Sequence, residues 1–258
     1  HRDRAAPGAC GALGGEMGLA IDHTAIQFRM LNKSKGPAVW APRAQADKKD
    51  YQRYMKTVVE RERNIDLKQD QAVELLVEHG KAVGVRTLMG MEYRGTAIIV
   101  TTGTFMRGLI HVGDVNFPGG RGGDPPSLGF SDSLKRHGFE IVRFKTGTPP
   151  RLRKNTIDFS ACEEQPGDLN PEPFSFRTDK LNLNQLSCWL TYTNQKTHEI
   201  IRQNLHLSPL YAGRIVGIGP RYCPSIEDKV VKFQDKERHQ IYLEPEGRET
   251  SEIYVNGL

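Results

Sequence analysis

"IDLKQDQAVELLVEHGKAVGVRTLMGMEYRGTAIIVTTGTF", residues 65–105, sets the expected architecture. Short apolar runs are punctuated by Gly80, Gly84, Gly90 and Gly95. Such a pattern reads as short strands joined by turns, because glycine takes backbone conformations that other residues avoid. The last run, "TAIIV" at 96–100, is continuously apolar. A strand of that kind is expected to be buried on both faces, in the way of a parallel sheet. It leads directly into Thr101, Thr102 and Gly103, where main chain can approach a ligand closely.

Upstream, "KKDYQRYMKTVVERER" at 48–63 spaces Tyr51, Tyr54, Met55, Val58 and Val59 as an amphipathic helix does. Downstream, "PGGRGGDPPS" at 118–127 is too rich in glycine and proline for a regular element. "LGFSDSLKRHG" at 128–138 reads as a short helix, and "FEIVRFKTGTPPR" at 139–151 as a strand ending in a loop. The stretch 163–194 is polar and irregular, "KTHEIIRQNL" at 196–205 is helical, and "RHQIYLEPEG" at 238–247 is a strand running into a turn. The expected class is α/β, with residues 152–245 forming an inserted α+β domain in a first domain at 1–151, and 246–258 returning to it.

The chain has 258 residues, 37% of them hydrophobic, and a mean hydropathy of −0.54, which fits a domain with a core and much polar surface. No window approaches the run of about 18 apolar residues that a membrane-crossing helix needs. The opening "HRDRAAPGAC" lacks the apolar run of a secretory signal, and the absence of an initial Met is what a fragment would show. Cys10, Cys162, Cys188 and Cys223 lie far apart with no C-x-x-C pair, so neither a zinc site nor a disulfide framework is expected, and reduced thiols in the cytoplasm are the default. The eight histidines show no metal-ligand spacing. A net charge of +5 permits a polyanionic partner, although many ordinary enzymes are as basic.

Three stretches are chemical candidates. In the glycine loop, Gly119 and Gly120 would offer backbone N–H groups to a phosphate or flat ring, with Arg121 as counter-charge; a plain surface turn is the competing reading. Neither G-x-G-x-x-G after a strand nor the P-loop pattern is present. The Thr102–Gly103 end of "TAIIVTTGTF" is either the end of a core strand or a cofactor-facing edge, as in two-dinucleotide-fold flavoproteins, where a small meander ends this way. In "GPRYCPSIEDK", residues 219–229, Cys223 lies between two prolines and beside Arg221. A helix beginning after Pro224 would turn its positive end to the sulfur, and both features would lower the thiol pKa. A buried structural cysteine is the alternative.

Together "AIDHTAIQFRMLNKSKGPAVWAPRAQAD" (20–47), "TTGTF" (101–105), "GGRGGDPPS" (119–127), "KTGTPPR" (145–151), "TIDFS" (156–160), "SPLYAGRIVGIGPRYCPSIEDKVVKF" (208–233) and "HQIYLEPEG" (239–247) resemble the glucose-inhibited division protein A family. The landmarks follow in order from about residue 12 to residue 258. The resemblance implies the flavin subunit of an enzyme that places carboxymethylaminomethyl groups on C5 of tRNA wobble uridine. It implies an FAD-binding, Rossmann-like domain, here partial, with the insertion facing NAD and tRNA. NADH, a methylene-folate carbon source, a GTPase partner, a homodimer and a cytoplasmic setting are implied with it, and no membrane. By position Val73 and Ser127 match FAD contacts. The segment from Gly219 to Phe233, with Pro220, Arg221, Tyr222, Pro224, Ser225, Ile226, Glu227, Asp228 and Lys229, matches an NAD-binding stretch. Cys223 matches a catalytic cysteine. A family dinucleotide turn and a second cysteine, expected before "ALGG", are not matched, and Cys10 does not take the latter's role. The chain therefore reads as an internal piece of the enzyme.

The implied chemistry is addition of the Cys223 thiolate to uracil C6, which makes C5 nucleophilic. Arg221 would stabilise the thiolate or a phosphate. Glu227 and Asp228 read as favourable charge in a helix's first turn rather than as proton carriers. Lys33, Lys35, Arg43 and Lys48 are the expected tRNA footprint, reached as the base leaves its stack. Two other readings are a folate-dependent tRNA uracil-5 methyltransferase-like flavoprotein and a non-catalytic tRNA-binding fragment. Flavin absorbance would separate the flavoproteins from the latter.

Overall fold

The computed structural model describes residues 14–145, 147–182, 184–215, 217 and 224–258. They form a mixed α/β structure whose chain divides into two compact units. One unit takes the described residues up to Leu67, then Thr148–His198 and Asp228–Leu258; the other takes Lys68–Gly147 and Glu199–Glu227.

The first unit opens with α1 (Met17–Thr24) and a two-stranded antiparallel ribbon, β1 (Ala25–Leu31) with β2 (Ala41–Ala46). Helix α2 (Lys48–Arg61) follows, close to the expected span. Asp47 starts it by accepting hydrogen bonds from the Lys49 and Asp50 main-chain N–H groups at 3.0 and 3.1 Å, which satisfies donors that a first turn leaves open. A five-stranded antiparallel sheet has the order β8-β12-β11-β10-β9: β8 is Arg151–Arg153, β9 Glu163–Gln165, β10 Cys188–Tyr192, β11 Gln240–Pro245 and β12 Glu252–Asn256. Ile241 and Leu243 in β11, and Ile253 and Val255 in β12, are buried with the period of two that a half-covered strand requires. Ala25, Phe28 and Leu181 form a further core with Ile21, Ala44 and Phe174 packed against it.

The polar stretch 163–194, expected to be irregular, contributes β9 and β10. Much of the rest is ordered by β1. Asp168 N–H donates to the Phe28 carbonyl (2.8 Å) and Leu186 N–H to the Ile26 carbonyl (2.7 Å), while the Gln185 amide oxygen accepts from Phe28 N–H at 2.7 Å. Asp22, buried in α1, accepts from the N–H groups of Phe174 and Ser175 and from the Thr178 hydroxyl at 2.7–2.9 Å. Backbone polar groups that find no ladder partner must find another.

The second unit holds a three-stranded antiparallel sheet, β3 (Ala72–Glu78), β4 (Lys81–Thr87) and β5 (Glu92–Arg94), and a hairpin, β6 (Leu109–Val112) with β7 (Val115–Pro118). Helix α3 (Phe130–Arg136) is tied to β3 by Leu75 N–H donating to the buried Ser133 hydroxyl at 2.9 Å. Gly80 and Gly90 make turns at φ of 77° and 85°, as expected. Gly84 does not turn: it lies inside β4, where a Cβ would strike the Tyr93 carbonyl oxygen of β5. Helix α4 (Gln195–Gln203) matches the expected helix, and α5 (Ile226–Lys232) begins two residues past Pro224.

Two strand expectations are corrected. Residues 96–100 are not a strand, and Ile99 is 85% exposed. Residues 139–150 form no named strand either, and Phe144 is 75% exposed. An apolar run becomes a strand only where a neighbour supplies a continuous ladder of hydrogen bonds, and in 139–150 Phe144 makes only an isolated bridge and the Pro150 carbonyl takes one bond, from Val255 N–H at 3.3 Å. Every named strand pair here is antiparallel, so the parallel sheet expected around 96–100 is absent among the described residues. The units also divide the chain differently from the boundaries expected at 151/152 and 245/246. Strand β12 joins β8 and β11 in one sheet, and the described residues up to Leu67 belong with that sheet.

Candidate functional site

In the second unit the structure brings Val73 and Ser127 together. Val73 falls at a register shift between Ala72 and Glu74 and faces no residue of β4. Such bulges re-aim a strand locally and recur beside binding sites. The Ser127 hydroxyl reaches the Ala72 carbonyl at 3.4 Å, and Ser127 N–H donates to the Phe105 carbonyl at 2.8 Å. Gly129 lets the following loop lie against Val73: its φ is 94°, and a Cβ there would meet the Val73 carbonyl oxygen at 3.2 Å. The Thr102–Gly103 turn is held by Phe105 N–H donating to the Thr102 carbonyl at 3.2 Å, with Gly103 at φ 57°.

In the glycine loop, Gly119 and Gly120 have main-chain partners within the same unit. Gly119 N–H donates to the Gly108 carbonyl at 3.0 Å and Gly120 N–H to the Asp124 carbonyl at 3.1 Å. Arg121 is paired with Asp124 three residues on. A Cβ on Gly120 would enter the Phe105 ring, so this glycine serves packing. The N–H groups of Gly119 and Gly120 and the Arg121 side chain thus have partners within the same unit.

In the first unit the four expected nucleic-acid cations separate. Lys33 pairs with Asp168 (2.7 Å), Arg43 with Glu244 (2.8 Å) and Lys48 with Glu246 (2.8 Å). Lys35 is exposed and has no ion pair among the described residues. Burial of Asp168 would raise its pKa, yet hydrogen bonds from Lys33 and from Met30 N–H hold it below the usual carboxylate range. Between the ribbon and the sheet lies a cleft of about 930 Å³, lined among others by Arg29, Arg43, Tyr51, Phe174, Tyr242 and Glu244. Arg29 was not singled out in the sequence, where it is one arginine in an apolar run; only its register opposite Arg43 marks it.

Gly219, Pro220, Arg221, Tyr222 and Cys223 lie outside the described residues, as does Cys10. The part of the segment that follows is held structurally. Ile226 is buried, Glu227 accepts from the Ser208 hydroxyl at 3.4 Å, Asp228 pairs with Lys232 at 3.4 Å, and Lys229 donates to the Gly257 carbonyl at 2.6 Å. Pro224 and Ser225 lead into this helix, half-buried. Among the described residues no group of three or more histidines, cysteines or carboxylates is placed to hold a metal.

A family model described as "Glucose inhibited division protein A" matches residues 9–258. The chain belongs to that family. It is 59% identical over 254 residues to a protein of Aquifex aeolicus named tRNA uridine 5-carboxymethylaminomethyl modification enzyme MnmG, and 57% identical over 247 residues to the Bacillus subtilis protein of that name. Each alignment covers 96% of this chain but only 41% and 39% of the relative. The structure matches that of Aquifex aeolicus GidA in its form I crystal with a TM-score of 0.90 and 58% identity, covering 98% of this chain and 43% of that one. The chain thus spans about two fifths of the length of these family members.

Proposed function

We propose that this chain is part of an FAD- and NADH-dependent enzyme that adds a carboxymethylaminomethyl group to C5 of the wobble uridine of tRNA. The observation that carries this reading is the 57–59% identity, over 96% of the chain, to proteins named for that modification. In this reading the face built from Val73, Ser127 and the Thr102–Gly103 turn holds FAD. The register shift at Val73 and the close approach that Gly129 allows fit main-chain contact with such a group. FAD, when bound, supplies hydride transfer, with NADH as the source of the electron pair.

The residues from Gly219 to Lys229 face NAD, and Cys223 is the nucleophile. Its thiolate adds to uracil C6, and the electron pair of the C5–C6 bond passes into the enolate of C4 and C5. C5 then attacks the methylene carbon of a one-carbon donor in its iminium form, whose C=N π pair passes to the nitrogen. Loss of the C5 proton and departure of the thiolate from C6 restore the ring and the cysteine. Since Lys33, Arg43 and Lys48 are paired with carboxylates, their pull on phosphate is weakened, and Lys35 carries more of the electrostatic attraction. A GTPase partner, a homodimer and a cytoplasmic setting belong to the same reading; among the described residues no helix is long and apolar enough to cross a membrane.

The test is Cys223→Ser in the protein that carries this chain. Serine fills nearly the same space but is rarely ionised at neutral pH. Wobble-uridine modification, followed by mass spectrometry of tRNA nucleosides, is expected to fall by several orders of magnitude. Flavin content, flavin reduction by NADH and the melting temperature should stay near wild type. Normal modification by the variant would remove Cys223 from the chemistry.

A further inference from the structure

We infer that the cleft between the β1–β2 ribbon and the five-stranded sheet binds a nucleotide, with its phosphate on Arg29 and its ring against the aromatic wall. The register puts Arg29 and Arg43 directly opposite each other, so both side chains leave the ribbon on one face. Like charges so placed are unfavourable unless anions answer them. One answer is present: Glu244, with a side chain only 6% exposed, takes Arg43 at 2.8 Å. Its Oε1 also accepts from the Asn256 amide at 2.9 Å.

Arg29 has no such partner among the described residues, although it is half-buried and lines the cleft. The other nearby carboxylate, Asp168, is held by Lys33 at 2.7 Å and by Met30 N–H at 2.6 Å, and it attracts Arg29 only from beyond ion-pair distance. Farther along the same face the next cross-strand pair, Gln27 and Gln45, is closed by the buried Cys188, whose thiol donates to their amide oxygens at 3.5 and 3.1 Å. The row therefore ends in one guanidinium awaiting an anion. A planar fork of this kind grips phosphate with two parallel hydrogen bonds.

The rest of the lining identifies the ligand's other half. Tyr51, Phe174 and Tyr242 give the cleft flat apolar surface, and about 930 Å³ is ample for a nucleotide. A bare inorganic anion would leave that surface unused. The ligand is either a free nucleotide or one nucleotide of an RNA strand. The cleft chemistry is the same for both, and only the RNA source rests on the proposed function.

The probe is uridine 5′-monophosphate, titrated calorimetrically into the protein that carries this chain, with uridine as the uncharged control. Wild type should bind the monophosphate well above uridine. Arg29→Gln should weaken the monophosphate by about tenfold or more and leave uridine unchanged. Lys56→Gln, on the exposed side of α2 and outside the cleft, should change neither. Arg29→Lys, which keeps the charge and loses the fork, should fall between, and it serves if the glutamine variant does not fold. Equal affinity of wild type and Arg29→Gln for the monophosphate, or no preference of wild type for it over uridine, overturns the inference. Displacement of the monophosphate by tRNA assigns the site to RNA; monophosphate binding that tRNA does not displace assigns it to a free nucleotide. Wobble-uridine modification that survives alongside failed monophosphate binding sinks the cleft proposal alone.

Discussion

The Asp47 carboxylate accepts a hydrogen bond from the Arg248 main-chain N–H at 2.8 Å, joining positions 201 residues apart in the chain. Through its other oxygen the same carboxylate caps α2. One side chain therefore starts a helix and pins the turn between β11 and β12. A Cβ at Gly247 would come within 2.6 Å of Asp47 Oδ2, so the turn must carry glycine there to approach so closely.

Replacing Asp47 should cost more than an ordinary cap. Asp47→Ala removes the acceptor of three backbone N–H groups, and a loss of roughly 2–3 kcal/mol is expected from the cap and the buried donors together. Burial pushes the Asp47 pKa up, but the hydrogen bonds from Arg248, Asp50 and Lys49 outweigh it and hold it below its ordinary value of 3.8. The folded pKa is the lower one. Its stabilisation is therefore present above 3.8 and is lost as the pH falls through the folded value. Denaturant melts of wild type and Asp47→Asn at neutral pH and near pH 3 should converge at the acid end. A constant gap would show that the charge is not what matters.

His239 should make the fold acid-sensitive in a milder range. Its ring lies 5.1 Å from that of the buried His198, and His198 Nδ1 and His239 Nε2 are buried with no hydrogen-bond partner among the described residues. Burial, then the neighbouring His198, lowers the His239 pKa from 6.5. The unfolded chain thus binds the proton more readily. Stability from neutral His239 is full above pH 6.5 and declines as the pH drops below it, towards the lower folded value. The melting temperature of wild type should fall between pH 7.5 and 5.5, and His239→Gln should flatten that slope. An unchanged slope would assign the acid sensitivity elsewhere.

The Cys188 thiol should be inert in the native protein. Burial, aided by the Glu244 carboxylate, raises its pKa to about 12. At neutral pH almost no thiolate exists to attack an alkylating agent. Brief iodoacetamide treatment followed by peptide mass spectrometry should modify the half-exposed Cys162 before Cys188, with Cys188 reacting only after unfolding. Rapid native labelling of Cys188 would contradict the burial.

Local pattern was most legible where local physics decides the outcome. Helix α2 was readable because its apolar spacing lies within one short stretch. The turns at Gly80 and Gly90 were readable because positive φ strongly favours glycine. Gly84 was misplaced because its reason, the Tyr93 carbonyl on the next strand, is a contact rather than a turn. The apolar run at 96–100 misled for a related reason: apolarity licenses burial, but only a paired neighbour makes a strand.

The sequence by itself determined the family, the helices expected at 48–63 and 196–205 and found at Lys48–Arg61 and Gln195–Gln203, and the candidacy of Cys223, since ordered motifs and short-range periodicity are properties of adjacent residues. Tertiary structure decided which charges are free. Lys33, Arg43 and Lys48 look like a basic cluster along the chain, yet Asp168, Glu244 and Glu246 neutralise them from more than 130 positions away. Arg29, unremarkable in the chain, lines the cleft and has no ion pair within 4 Å among the described residues. Coulomb attraction acts over ångströms in space, and separation along the chain does not fix that distance.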